Sequence, residues 1–208
     1  MRSNIVHDIT EIPATEWNRV AGTAHPFTRH EFLAALERHD CVGTRHGWLP
    51  HQVVVHDAQG RLCGAAPLYL KNNSYGEFVF DWAWADAWQR AGVPYYPKLV
   101  SSIPYTPVTG NRLLVAADAD REAVTRLLVG RAVQLANETG SSTRHWLFTS
   151  PADTERLQAF EHLRRTSCHF HWHNAGYRSF DGFLAALSSR KRKKIRRERR
   201  RVAEAGID

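Results

Sequence analysis

The chain has 208 residues, enough for one or two domains, and its 43% apolar and 24% charged residues are typical of a globular protein. Its net charge of +7 is concentrated at one end, because residues 188–208 carry ten Lys or Arg and three Asp or Glu while the rest is balanced. The lack of a long apolar run or a signal sequence excludes a membrane span and predicts a cytoplasmic protein with reduced cysteines.

Apolar periodicity, turn residues and helix caps predict an alternation of helices and strands. The first half begins with an edge strand at 5–12 and helices over 14–20 and 29–39, followed by a hairpin of strands 51–57 and 62–71. A loop then enters a short strand over 72–80, and Asp81 caps the next helix. The second half has a strand over 98–103, a helix from Asp118 or Asp120 to Asn137, a strand over 143–149, a helix over 153–163 and a strand over 166–173. This order predicts an α/β or α+β fold, a mixed sheet covered by helices that is GNAT-like, as in N-acetyltransferases.

The last thirty residues predict a long basic helix. Ser179 can cap it, and Phe180, Phe183, Leu184 and Leu187 recur on one face, so a single helix over 180–205 is expected. Like charges at i, i+4 spacing destabilise such a helix by a few tenths of a kcal/mol each. An anionic neighbour is therefore expected, and the alternative is a solvated basic tail.

One group of polar residues is flanked by aromatic residues in the sequence. Tyr75, Glu77 and Asp81 are interleaved with Phe and Trp residues, and carboxylates in such a place can have raised pKa values and act as bases. The alternative is structural, with Asp81 as a helix cap and Glu77 on the surface.

A second candidate is a stiff loop between two prolines. Tyr105 and Thr106 lie at its apex, and Lys98 lies on the strand that leads to it, so the loop offers hydroxyl and N–H groups to a polar substrate; a rigid turn is the alternative.

His169, His171 and His173 alternate as metal ligands can, but no Cys or carboxylate accompanies them, so no metal is expected.

Three segments carry a resemblance to a known family: YLKNNSYGEFVFDWAWADAW, YYPKLVSSIPYTPVTGNRLL and FHWHNAGYRSFDGFLAALSSRKRKKIRRERR. Along nearly its whole length the sequence resembles the bacterial FemAB-like proteins of peptidoglycan biosynthesis or recognition. The resemblance implies two tandem acetyltransferase-like domains with a substrate cleft between them. It also implies acyl or aminoacyl transfer to an amine acceptor such as a cell-wall precursor, with acyl-CoA or aminoacyl-tRNA as the donor.

The resemblance also suggests domains and roles. Residues 1–178 would be the first domain and 179–208 a connecting helix leading to a second domain that this chain lacks, so the transferase would be incomplete. The expected roles are a base (Glu77 or Asp81), acceptor contacts (Tyr75, Tyr105 and Thr106) and contacts to phosphates of tRNA, a nucleotide-linked precursor or coenzyme A (Lys98, Arg190, Lys194 and Arg197). The alternatives are nucleic-acid binding by helix 190–201 and a noncatalytic module that binds peptidoglycan or a partner.

Overall fold

A computed structural model describes residues 1–168 and 170–207. The strands are β1 (Arg2–Val6), β2 (Trp48–Pro50), β3 (Gln52–His56), β4 (Leu62–Ala66), β5 (Tyr69–Lys71), β6 (Lys98–Ser101), β7 (Leu114–Val115) and β8 (Arg144–Trp146). The helices are α1 (Ala14–Ala21), α2 (His30–Arg38), α3 (Trp82–Arg90), α4 (Arg121–Glu138), α5 (Pro151–Ala159), α6 (Phe180–Ala185) and α7 (Ser189–Glu204). The chain divides into two compact units, Met1–Arg164 and Arg165–Asp208.

The first sheet of the larger unit is antiparallel, with strand order β1-β3-β4-β7. Its centre is β3, where Val53 and Val55 join a core cluster that includes Leu128 of α4. Val54 points to the opposite face and joins the cluster around Trp17 of α1. Because successive side chains of a strand alternate between faces, the run of three valines shows that helices cover this sheet on both sides.

The second sheet is mixed, with strand order β2-β5-β6-β8. Its first two pairs are antiparallel, whereas β6 and β8 run parallel. The return strand predicted over 62–71 divides at Pro67 into β4 and β5, one in each sheet, since proline cannot donate a ladder hydrogen bond. Gln52 bridges this break by accepting a 3.2 Å hydrogen bond from the Leu68 N–H. The predicted mixed α/β architecture is thus confirmed.

Four predicted elements were wrong in detail. The edge strand expected at 5–12 is β1 over Arg2–Val6, and Ile9–Glu11 form a 3₁₀ turn. The described residues of 166–173 contain no strand, and His169 lies outside the described residues. No strand forms within 72–80, because Phe78 and Phe80 have positive φ values of 59° and 53° that interrupt an extended chain. The long basic helix is two helices, because Ser188 has an extended backbone between the end of α6 and the start of α7 at Ser189. Within the described residues, no helix is long and apolar enough to cross a membrane.

Candidate active site

A buried ionic cluster lies beside the second sheet. Lys98, the first residue of β6, extends its ammonium to within 2.8 Å of Glu77 Oε2 and 2.5 Å of Asp81 Oδ2. It also donates a 2.8 Å hydrogen bond to Ser74 Oγ. All four residues are at most 5% exposed. The three donors of the ammonium thus have three acceptors, which is the arrangement that makes a buried charge tolerable.

The two carboxylates of the cluster differ in their surroundings. Burial raises the pKa of Glu77, and the opposing charge of Lys98 offsets only part of that effect. Burial also works to raise the pKa of Asp81, but hydrogen bonds from Lys98, Ser74 and Tyr95 outweigh it and lower that pKa to about 2. The Tyr95 hydroxyl donates to Asp81 Oδ2 at 2.6 Å. Asp81 therefore stays ionised, whereas Glu77 is the carboxylate of the pair that takes up a proton more readily.

Lys71 is a second buried cation beside the cluster. It is the direct cross-strand partner of Lys98 and is 0% exposed. Its ammonium donates to the Tyr75 carbonyl at 3.1 Å and lies 3.9 Å from the centre of the Trp48 ring. Burial lowers the pKa of Lys71 to about 7, although Glu77 acts in the opposite direction. The sequence did not single out this residue, because a lysine at the end of a strand is usually solvated at the edge of a sheet.

Exposed aromatic side chains surround the segment that carries the two carboxylates. Tyr75, Phe80 and Trp84 are 69%, 70% and 58% exposed, and Phe78 and Trp82 are also exposed. Large exposed aromatic patches are uncommon on soluble proteins and often mark binding surfaces. The left-handed backbone at Phe78 and Phe80 costs of order 1–3 kcal/mol each and indicates a conformation imposed by the surrounding structure.

The stiff loop contacts this segment. The Tyr105 N–H donates to the Gly76 carbonyl at 3.2 Å, and its hydroxyl donates to the Cys41 carbonyl at 2.9 Å. Gly76 has a φ of +78°, and an added Cβ would lie 2.6 Å from the Tyr105 ring, so both its backbone and its packing require glycine. The hydroxyl of Thr106 donates to the Pro104 carbonyl at 3.0 Å. The loop is thus anchored to Gly76 and Cys41 outside it and to Pro104 within it.

Arg112 fixes the far end of that loop and was not predicted from the sequence. Its guanidinium is 0% exposed and donates to the carbonyls of Val108, Asn111 and Leu147 at 2.8, 3.2 and 3.0 Å. The carboxylate of Asp153 accepts from the Arg112 N–H at 2.6 Å. Burial lowers the pKa of Arg112 to about 10.

Three of the four basic residues proposed for phosphate binding lie on α7. Arg190, Lys194 and Arg197 are exposed, and Lys194 lies 3.8 Å from Glu198. A shallow pocket on the same helix is lined by Lys193, Arg196, Arg197, Arg200, Arg201 and Glu204. Within the smaller unit, Arg199 stacks over the Phe180 ring at 4.3 Å and Arg196 lies 3.7 Å from Asp181.

The sequence-derived candidates therefore fall into two groups. The structure brings together Tyr75, Glu77, Asp81, Lys98 and Tyr105 in the larger unit, with Thr106 following Tyr105 in the loop. The expected contact of Lys98 with a substrate phosphate stays a prediction, and the structure places the Lys98 ammonium in a buried position with internal acceptors. Besides Lys71 and Arg112, the polar groups that sequence reasoning missed are Ser74, Tyr95 and Tyr96, whose hydroxyl lies 2.8 Å from Ser74 Oγ.

These features define a mixed α/β protein with a buried Lys–carboxylate cluster beneath exposed aromatic rings. The chain belongs to the FemAB-like family, described as peptidoglycan biosynthesis/recognition, whose model matches residues 8–208. No curated protein matches the sequence. Among solved structures, the chain is similar to a crystal structure of a probable acetyltransferase, with 15% identity and a TM-score of 0.46 over 86% of this chain and 100% of that one.

Proposed function

We propose that the protein takes part in acyl or aminoacyl transfer to an amine acceptor of peptidoglycan metabolism, such as a cell-wall precursor. The observation that carries this proposal is the pair of buried carboxylates on Lys98 whose pKa values are shifted in opposite directions. Such a pair separates the roles of proton acceptor and fixed counter-ion within one site. Membership of the FemAB-like family supports the assignment to peptidoglycan chemistry.

Glu77 is the proposed proton acceptor. Its Oε1 is buried and, among the described residues, has no hydrogen-bond partner, so a lone pair is open to an incoming N–H group. Asp81 holds Lys98 and Tyr95 and keeps its charge. Because Glu77 is only 2% exposed, the acceptor amine reaches it when the exposed side chains of Phe78 and Phe80 beside it turn aside.

The transfer balances without an additional reactant. The neutral amine nitrogen attacks the carbonyl carbon of an activated ester or thioester, and a C–N bond forms. The C–O or C–S bond then breaks, and its electron pair leaves with the alkoxide or thiolate. The proton lost by the amine passes to Glu77 and from there to the leaving group, as in general base and acid catalysis. In this proposal Tyr75, Tyr105 and Thr106 orient the acceptor.

The donor carries phosphate groups in this proposal, whether it is acyl-CoA or aminoacyl-tRNA. Arg190, Lys194 and Arg197 of α7 are exposed cations suited to phosphate, and arginine can bind it with two parallel hydrogen bonds. The shared basic face of α7 also supports a second candidate, general nucleic-acid binding. That candidate predicts equal, strongly salt-dependent binding of unrelated RNA and DNA.

A donor comparison tests the proposal. The purified protein is incubated with an amine acceptor and either radiolabelled acyl-CoA or aminoacyl-tRNA, and label in the amide product is counted. We expect incorporation from one donor and none without protein. Binding of both donors and of unrelated duplex DNA with equal affinity, and no amide product from either donor, would favour the nucleic-acid alternative.

A further inference from the structure

The smaller unit carries a pocket of about 500 Å³ that is lined by aromatic rings. Phe183 is central to it, because the rings of Trp172, Tyr177 and Phe180 lie 6.0, 5.5 and 5.8 Å from its ring. Trp172 and Phe180 are 67% and 43% exposed, so much of their ring surface remains open to a ligand. These four residues form the surface that we call the aromatic pocket.

Local hydrogen bonds fix the backbone of the aromatic pocket. Asn174 Oδ1 accepts from the Tyr177 N–H at 2.8 Å, and Asn174 Nδ2 donates to the Tyr177 carbonyl at 3.2 Å. Ser179 Oγ accepts from the Gly182 N–H at 3.1 Å and caps α6, the helix that carries Phe180 and Phe183. The pocket is therefore formed before a ligand arrives, which reduces the entropy cost of binding.

The charge around the aromatic pocket is strongly positive. Residues 165–208 contain twelve Lys or Arg and only four Asp or Glu. Arg178 lines the pocket, and the guanidinium of Arg199 lies 4.3 Å from the centre of the Phe180 ring. Among the described residues of this unit, carboxylates pair with only two cations, Lys194 and Arg196, at 3.8 and 3.7 Å. The field at the pocket therefore favours an anion.

The positive charge also extends well beyond the pocket. The 16 residues of α7 correspond to a length of about 24 Å. Exposed cations follow one another along this helix: Arg190, Lys193, Arg197, Arg200 and Arg201. Such a length of positive charge fits several successive phosphates of a strand better than the phosphates of a single nucleotide.

An aromatic pocket beside a row of cations matches a ligand that is both planar and polyanionic. Unpaired bases stack on aromatic side chains while the phosphates of the same strand bind Lys and Arg. An apolar peptide gains nothing from the cations, and an acidic peptide lacks bases to stack. We infer that the aromatic pocket stacks an unpaired base of a single-stranded nucleic acid whose phosphates bind α7.

This inference rests on the proposed function and deepens it, because it selects between the two donors. Of these, aminoacyl-tRNA presents a strand with several phosphates, whereas coenzyme A presents one nucleotide. The inference also differs from general nucleic-acid binding by α7. A paired base is already stacked within its duplex, so the pocket predicts a preference for single strands.

The test compares strands that have equal numbers of phosphates. A short labelled RNA is titrated with the full chain by fluorescence anisotropy, beside the same strand with its bases replaced by abasic sites and beside a duplex. We expect the strand with bases to bind at least about fivefold more tightly than the abasic strand. This ratio should persist as salt weakens both, because stacking is not screened by ions.

Variants assign the effect to the aromatic pocket. Trp172→Ala should weaken binding of the strand with bases about fivefold or more and leave the abasic strand unchanged, whereas Trp172→Phe should retain most of the affinity. Trp84→Ala, which removes an exposed tryptophan of the larger unit, is the matched control and should change neither. Circular dichroism checks that each variant is folded.

Four results would overturn the inference: equal affinities for the strands with and without bases, duplex binding as tight as single-strand binding, displacement of the strand by equimolar coenzyme A, or equally tight binding of an acidic peptide of the same charge. Amide formation together with binding that ignores the bases would leave the proposed function standing and remove the stacking site. Base-dependent binding without any amide product would retain the stacking site and remove its role in transfer.

Discussion

Lys71 and Lys98 are direct cross-strand partners on β5 and β6, and both side chains are fully buried. Two like charges at such a position destabilise a sheet unless each has counter-charges. Here Lys98 has both carboxylates, whereas Lys71 has the Tyr75 carbonyl and the Trp48 ring. Burial away from a contacting carboxylate lowers the pKa of Lys71.

This asymmetry predicts a pH dependence of stability. Burial lowers the pKa of Lys71 from 10.5 to about 7, so between these values the unfolded chain binds a proton that the folded chain lacks. The contribution of Lys71 to the free energy of unfolding therefore rises from pH 7 towards pH 10.5. Urea denaturation at pH 7, 8 and 9 should show the wild type gaining stability relative to Lys71→Met. A difference that stays constant with pH would contradict the assignment.

The second pH prediction concerns Asp81. Its pKa is lowered from 3.8 to about 2, so its contribution is complete above the unfolded value and is lost as the pH falls from about 4 to about 2. The shift corresponds to about 2 kcal/mol. Unfolding by urea at pH 5 and pH 3 should show a larger loss in the wild type than in Asp81→Asn. Equal losses in the two proteins would mean that Asp81 is not the stabilised carboxylate.

Replacing Lys98 by an uncharged residue should strongly lower the free energy of unfolding. Lys98→Met leaves Glu77 and Asp81 buried without their counter-ion, and breaking a buried pair typically costs about 3–5 kcal/mol. Lys194→Met, on the exposed face of α7, is the matched control and should change stability by no more than about 0.5 kcal/mol. Chemical denaturation gives the free energy of unfolding of both variants and of the wild type for this comparison. A loss below about 1 kcal/mol for Lys98→Met would show that the cluster is solvated.

Alanine substitutions at Gly76 and Gly60 distinguish the energetic cost of tight packing from the cost of backbone strain. Gly76 and Gly60 have similar φ values of +78° and +81°, but a Cβ at Gly76 would meet the Tyr105 ring while one at Gly60 meets nothing within 4 Å. Both alanine variants carry the backbone cost, and Gly76→Ala adds an overpacking cost of about 1–3 kcal/mol. Denaturation curves should therefore rank Gly76→Ala as the less stable variant. Equal stabilities would show that the contact between segment 74–80 and the Tyr105 loop is loose.

The sequence predicted the helices and strands better than the contacts between side chains. The valine run of β3 and the capped amphipathic α4 follow local periodicity, so they were found. The polar set of Tyr75, Glu77 and Asp81 was found through its aromatic surroundings. Lys71 and Arg112 were missed because their partners are backbone carbonyls and aromatic faces that only the folded chain brings near. The break before α7 was missed because basic residues and serines fit either one helix or two.

The most direct test of the proposed role of Glu77 is the rate of amide formation by the Glu77→Gln variant. The substitution keeps the shape of the side chain but removes the proton acceptor, so we expect the rate per folded molecule to fall about 10²-fold or more. Glu155→Gln, at an exposed position on α5, is the control and should keep the wild-type rate. A Glu77→Gln rate within twofold of the wild type would contradict the proposed role of the buried carboxylate.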